Sequence, residues 1–220
     1  QRDWVNNETI FSGDIGIAND ITDNAYTVFT GPLSNVSNPI NYALIDGIII
    51  QDGNADANGG DQQRAGGGTF IHNTFTSNLT FSNCVWRNNF AQFGALSVWG
   101  SSTTLNLRIE NCRFTNNKAR AGAPFRFRSN GHDLNTIMFN TLIDNNETID
   151  YAGFDGAFGH GGDIIAYNGG NVQSVFANCV WAKNLDNSSS VDKLLFPIYR
   201  RFSGGSADVQ FTNCIFNENQ

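Results

Sequence analysis

Several groups of side chains in this sequence have the types and spacing to do chemistry. The run Asp52-Gly-Asn-Ala-Asp-Ala-Asn-Gly-Gly-Asp61 sets oxygen-bearing side chains at alternate positions beside glycine. Calcium loops do the same, so Asp52, Asn54, Asp56, Asn58 and Asp61 are candidate calcium ligands. The run lacks a distal glutamate to supply two oxygens, and a solvated Asn/Asp/Gly loop is the competing reading. Asp20 and Asp23 are weaker candidates. Cys84, Cys112, Cys179 and Cys214 could form two disulfides or remain thiols; with no Cys-x-x-Cys pair and with His72, His132 and His160 dispersed, zinc is not supported. Asp150, Asp155, His160 and Asp163 gather in or beside one segment, with Arg200 and Arg201 further on. These are residue types for acid–base cleavage of polysaccharides, but no spacing among them is diagnostic. Trp99, Phe127 and Tyr167 follow glycine pairs at matched positions and could form a stripe for stacking on sugar rings, with Arg126 and Arg128 nearby. If both arginines face outward, Phe125 and Phe127 face inward and belong to the core. Glycine-rich phosphate loops, nucleophile elbows and metalloprotease helices are absent from the sequence, and no cofactor other than calcium is indicated.

The composition decides what must position these groups. Among 220 residues there are 31 Asn, 23 Gly and 18 Phe against three Lys, one Met and four Pro. Asn and Gly are poor in helix interiors and good in turns, while Phe, Val, Ile and Thr suit pleated strands, so an all-β chain with many tight corners is expected. The net charge of −7 argues against a phosphate-tracking surface and hence against nucleic acid. The longest apolar run, Leu44 to Ile50, is short and interrupted by Asp46 and Gly47, so no membrane insertion is expected. The Asn-x-Ser/Thr sites at Asn7, Asn35, Asn78, Asn146 and Asn187 are read as by-products of the Asn content.

An internal repeat organises the chain. Phe81-Ser-Asn-Cys-Val-Trp-Arg-Asn-Asn89, Ile109-Glu-Asn-Cys-Arg-Phe-Thr-Asn-Asn117, Phe176-Ala-Asn-Cys-Val-Trp-Ala-Lys-Asn184 and Phe211-Thr-Asn-Cys-Ile-Phe-Asn-Glu-Asn219 share one frame, and Met138 to Asn146 and Ile45 to Gly53 fit it more loosely. The copies align in columns. Ile48, Cys84, Cys112, Thr141, Cys179 and Cys214 form one, and Ile50, Trp86, Phe114, Ile143, Trp181 and Phe216 form another two places on. Matching at i and i+2 is strand periodicity, so both columns lie on one face, taken as the inside. Asn83, Asn111, Asn140, Asn178 and Asn213 flank it on one side, and Asn89, Asn117, Asn146, Asn184 and Asn219 on the other. Both sets read as left-handed corners whose amides bond up the stack, with Gly47 and Gly53 in the earliest copy.

A glycine element precedes four of the copies, Gly67-Gly-Thr-Phe70, Phe93-Gly-Ala-Leu96, Ala121-Gly-Ala-Pro124 and Gly161-Gly-Asp-Ile164, while Leu194-Leu-Phe-Pro197 stands where the next would be expected. The cysteine column is spaced by 36, 28, 29, 38 and 35 residues, and the excess falls between the second Asn and the glycines. A coil of this length with Asn or Gly corners predicts a single-stranded right-handed parallel β-helix of about six to seven coils. The whole chain, 1–220, reads as one β-helix domain. Residues 1–42 form an irregular first coil, and 43–220 carry repeats with insertions at 54–66, 147–161 and 185–195. In-register stacking brings those insertions to one edge, where specific function is expected. Neighbouring coils about 4.8 Å apart with parallel Cβ vectors suit stacked thiols better than a relaxed disulfide.

The Phe-x-x-Asn motifs (Phe114 to Asn117, Phe216 to Asn219) and Gly-Gly-Ala-Ile-like motifs (Phe93 to Leu96, Gly161 to Ile164) resemble the repeats of polymorphic outer-membrane proteins. The opening Arg2-Asp-Trp4, Glu8 to Ile15, Asp23 to Tyr26, Leu44 to Gly47 and Gly53 to Ala55 are similar to large right-handed β-helix surface proteins of the type IX secretion route. The resemblance implies an adhesive passenger or surface fibre, extracellular or on the outer cell surface, and a fragment of a longer chain. Its expected partners are neighbouring β-helix domains or subunits end to end, and surface glycans or host or cell proteins. A non-enzymatic structural or adhesive β-helix is therefore the first expectation, and a polysaccharide-binding or polysaccharide-cleaving β-helix the second.

Overall fold

A computed structural model describes residues 3, 6–31, 42–57, 59–73, 77–101, 103–149, 161–187 and 199–220. Short strands joined by sharp corners wind into coils, and equivalent strands of successive coils pair in parallel to give four sheets. In chain order each full coil contributes to sheets A, D, B and C. Sheet A has seven strands: Ile10–Ser12, Ile49–Gln51, Val85–Arg87, Arg113–Thr115, Leu142–Asp144, Val180–Ala182 and Ile215–Asn217. Sheet D has five, from Asn54–Ala55 to Leu185–Asp186; sheet B has six, from Phe29–Thr30 to Tyr199–Ser203; and sheet C has six, from Tyr42–Asp46 to Ser206–Thr212. The chain is thus a parallel β-helix with seven turns through sheet A. One four-residue helix, Asp61–Arg64, interrupts the described strands.

Register follows the repeat. Phe11, Ile50, Trp86, Phe114, Ile143, Trp181 and Phe216 are successive partners across sheet A. The column from Ile50 to Trp181 is fully buried, and Trp86 stacks on Phe114 with centroids 4.6 Å apart and planes 5° apart. Sheets B and C supply the facing walls: Val98, Phe125, Phe127 and Ile164 from one, Phe81, Leu107, Met138 and Phe176 from the other. Phe125 and Phe127 are core, as the alternation requires.

The two Asn columns do different work. Asn83, Asn111, Asn140, Asn178 and Asn213 have φ near +50°, with Gly47 at +65° in the first copy. Asn tolerates this left-handed turn, and three of these amides bond their predecessors: Asn140 to Asn111 at 3.2 Å, Asn178 to Asn140 at 3.3 Å and Asn213 to Asn178 at 2.7 Å. Asn83 instead donates to Asp46 at 2.7 Å. The second column departs from expectation. The left-handed residue is the one before it: Asp52, Asn88, Asn116, Asn145, Lys183 and Glu218. Asn89, Asn117, Asn146 and Asn184 turn inward and are buried, the Nδ2 of each donating to the Oδ1 of the next, while Gly53 stands at this position because a Cβ there would collide with the Gly67 carbonyl.

Lys183 and Glu218 therefore sit in a backbone conformation that costs an ordinary L residue about 1 kcal/mol. Their mutual ion pair, 3.9 Å and solvent-exposed, offsets little of that. Lys183→Asn is expected to raise stability by about 0.5–1 kcal/mol, about 2 °C in Tm for a chain of this size, measurable by calorimetry. An unchanged or lower Tm would contradict the corner assignment.

Candidate functional site

The segments 54–66, 147–161 and 185–195 each open with a strand of sheet D, and the next strand in the chain belongs to sheet B, while the corners at Gly94 and Gly122 are tight. Beside that edge lies the outer face of sheet B, and its residues are unlike those of an ordinary solvated sheet. Nearest the edge, Phe70, Ser97, Arg126 and Asp163 are in register and all buried, although they point away from the coil interior. Ala65, just after the short helix, and Phe93 and Ala121 from sheet D pack with Phe70 and Trp99 as a second apolar cluster. The next column holds His72, Trp99, Arg128 and Ile165, and the next again Asn130 and Tyr167. His72, Arg128, Asn130 and Tyr167 are half-buried, so the face is covered at one margin and opens toward the other.

Within this face the Arg128 guanidinium lies 4.6 Å from the Trp99 ring centroid and 4.8 Å from that of Tyr167. Arg126 lies 4.1 Å from the Phe93 ring and 3.1 Å from Asp163. Trp99 meets Phe70 edge to face at 5.3 Å, and His72 Nε2 is 2.8 Å from Ser101 Oγ. Cations held on ring faces at a half-buried surface lose conformational freedom, which prepares them for an anion.

The candidate groups named from sequence fare differently. Trp99, Phe127 and Tyr167 do not form a stripe. One extra residue in the corner Ala123-Pro124 shifts the register, so Trp99 pairs with Arg128 and Val98 with Phe127, and a one-residue slip exchanges inside for outside. Likewise Gly66, not Gly68, takes the left-handed corner equivalent to Gly94 and Gly122, while Gly162 abuts the Phe125 ring. Asp163 joins the sheet B face. Asp150, Asp155 and His160 lie outside the described residues, as do the side chains of Arg200 and Arg201.

In the calcium run, Asp52 accepts from Ser12 Oγ at 3.1 Å and Gln51 Nε2 at 2.5 Å, Asn54 donates to the Ile21 carbonyl at 2.6 Å, and Asp56 is held by Arg120 at 2.6 and 2.7 Å. Asn58 and the side chain of Asp61 lie outside the described residues. Among the described residues no three His, Cys, Asp or Glu side chains come together as metal ligands, and no helix is long and apolar enough to cross a membrane. Asn146, within one of the Asn-x-Ser/Thr sites, is fully buried and closed to glycosylation in the folded chain.

All four cysteines are free thiols. Each Sγ–H points to two carbonyls, one two residues back and one in the preceding coil: Cys112 to Glu110 at 3.2 Å and Phe81 at 3.6 Å, Cys179 to Ala177 at 3.4 Å and Met138 at 3.5 Å. Thr141 interrupts the column in sequence but not in bonding, since its hydroxyl donates to Phe139 at 3.0 Å and accepts from the Cys112 amide at 3.4 Å. Burial pushes Cys112 well above the ordinary thiol range and Cys179 up to about 11. A raised folded-state pKa contributes stability that is complete below the unfolded value near 8.5 and is lost as pH climbs through the folded value. Between about pH 9 and pH 11, Cys179 alone is expected to withdraw about 2 kcal/mol. Thermal unfolding across that window should show the decline, and Cys179→Thr, which copies the hydroxyl that Thr141 already places in this column, should flatten it; equal slopes in both proteins would contradict the burial argument.

Comparison with models of known families, with curated proteins and with solved structures finds no significant match.

Proposed function

We propose that this chain is a non-enzymatic extracellular or cell-surface β-helix that serves as a structural and adhesive unit, joined end to end with neighbouring β-helix domains or subunits. The observation that carries the reading is the contrast along the aromatic column. From Ile50 to Trp181 it is fully buried, whereas Phe11 and Phe216, in the first and last coils, are 45% and 39% exposed, with Ile10 and Ile215 beside them at 46% and 58%. Those coils also carry strand edges that lack a pairing strand on one side among the described residues. A further parallel coil would satisfy both needs, covering aromatic with aromatic and pairing the edges. The resemblance to polymorphic outer-membrane and type IX surface proteins supports the same setting.

Sedimentation velocity over a wide concentration range tests the end-to-end element. The chain is expected to self-associate into rods of constant width, and Phe11→Asp with Phe216→Asp to return it to single units; a monomer at every concentration would overturn head-to-tail stacking of copies. Polymer length in a panel of polysaccharides after long incubation tests the non-enzymatic element. Shortened chains or unsaturated ends would replace it by the cleaving alternative, for which the partly open face of sheet B is the place.

A further inference from the structure

We infer that the outer face of sheet B is a binding site for an acidic polysaccharide, with the Arg128 guanidinium as its carboxylate receptor. This goes beyond the structural role proposed above and stands independently of end-to-end stacking.

The arginines of this chain are not all held alike. Arg87, Arg108, Arg113, Arg120 and Arg126 each lie within ion-pair distance of a carboxylate, from Glu8, Glu110, Asp144, Asp56 and Asp163 respectively. Arg128 differs. Its guanidinium is clamped between Trp99 and Tyr167, its Nε is buried without a hydrogen-bond partner, and no carboxylate among the described residues pairs with it. A half-buried cation costs free energy unless something compensates, and rings on two sides compensate only in part. The clamp leaves the planar donor fork oriented on a half-buried face beside Asn130 and Tyr167.

Carboxylate is the anion that a fixed guanidinium fork accepts with two parallel hydrogen bonds. The surroundings select a sugar as its carrier. Tyr167 and His72 present rings with polar edges, and Asn130 adds an amide whose Oδ1 accepts from Asn168 Nδ2 at 2.6 Å along the coil axis. Arg128 and Asn130 share one coil, Tyr167 lies on the next, about 4.8 Å on, and His72 two coils back, so these groups suit an extended polymer better than a compact ion. The acidity of the chain, −7 overall, works against indiscriminate attraction of polyanions. Binding must therefore rest on the local site.

Affinity electrophoresis and calorimetry with polygalacturonate and with alginate provide the test, using fully methyl-esterified polygalacturonate and dextran sulfate as comparisons. The intact chain is expected to bind at least one uronate polymer and to lose about tenfold or more in affinity toward the methyl ester, which keeps the sugar and removes the charge. Arg128→Gln should weaken binding by a similar factor with unchanged circular dichroism. Arg128→Lys should also weaken it, since an ammonium has no fork, and Arg113→Gln on sheet A should leave it intact. The methyl-ester comparison needs no variant and keeps the test decisive if Arg128→Gln fails to fold. Lack of binding to both uronate polymers, equal binding of ester and acid, equal binding of dextran sulfate, or an undiminished Arg128→Gln protein would overturn the site.

Discussion

Replacing Asn146 by leucine is expected to destabilise the chain by about 3–5 kcal/mol and to lower Tm by roughly 10 °C. Asn146 is fully buried and its side chain makes every bond it can. Oδ1 accepts from the Asn117 backbone amide at 3.1 Å and from Asn117 Nδ2 at 3.0 Å; Nδ2 donates to the carbonyls of Phe114 at 3.0 Å and Asp144 at 3.1 Å and to Asn184 Oδ1 at 2.9 Å. Leucine is close in volume, so the cost is polar. It strands the Asn117 amide and one Nδ2 proton without acceptors and removes a donor from the Phe114 carbonyl, at about 1–3 kcal/mol for each buried group left unmet. Asn140→Gly is the control. Its amide is exposed and its bond to Asn111 is 3.2 Å, and glycine keeps the left-handed corner, so the loss should stay below about 1 kcal/mol. Urea unfolding of the two variants separates them, and similar losses would refute the distinction between inner and outer columns.

Trp86→Ala is the second large effect, about 3–5 kcal/mol. The indole is fully buried, stacked on Phe114, edge-on to Phe81 at 5.0 Å, and donates from Nε1 to Thr69 Oγ1 at 2.9 Å. Alanine opens a cavity between rigid coils whose ladder bonds hold them apart, so little collapse is available to refill it. Trp86→Phe should cost only about 1–1.5 kcal/mol, because Phe114 and Phe216 already occupy the same column and only volume and one hydrogen bond are lost. Calorimetry of both variants reads the difference. Comparable destabilisation would mean that the hydrogen bond to Thr69, and not the packing, holds the residue in place.

The repeating frame makes the coil legible in the sequence itself. Cys84 and Cys112, or Trp86 and Phe114, have to be neighbours if equal frames stack, and they are. What misleads is single-residue detail. The dipeptides Asn88-Asn89, Asn116-Asn117 and Asn145-Asn146 offer two asparagines for one corner, and nothing in those copies says which turns inward. Lys183-Asn184 and Glu218-Asn219 hold the answer: the first position accepts Lys or Glu, being an exposed corner, while the second keeps Asn, being the buried ladder. The sheet B face is harder to foresee. Its signal is the pair Trp99 and Arg128, which lie in register only once the added corner residue beside Pro124 is counted, and sequence alone gives no reason to count it.

The inner amide column is where the stacking of coils can be observed atom by atom. In a nuclear Overhauser spectrum of the isotope-labelled chain, the side-chain amide protons of Asn89, Asn117, Asn146, Asn184 and Asn219 should connect one to the next, as bonds of 2.9–3.0 Å between their amides require. Those of the four buried members should also outlast the outer column, Asn111 to Asn213, in deuterium exchange. Absence of contacts between Asn117 and Asn146, 29 residues apart, or exchange at one common rate, would contradict the β-helix described.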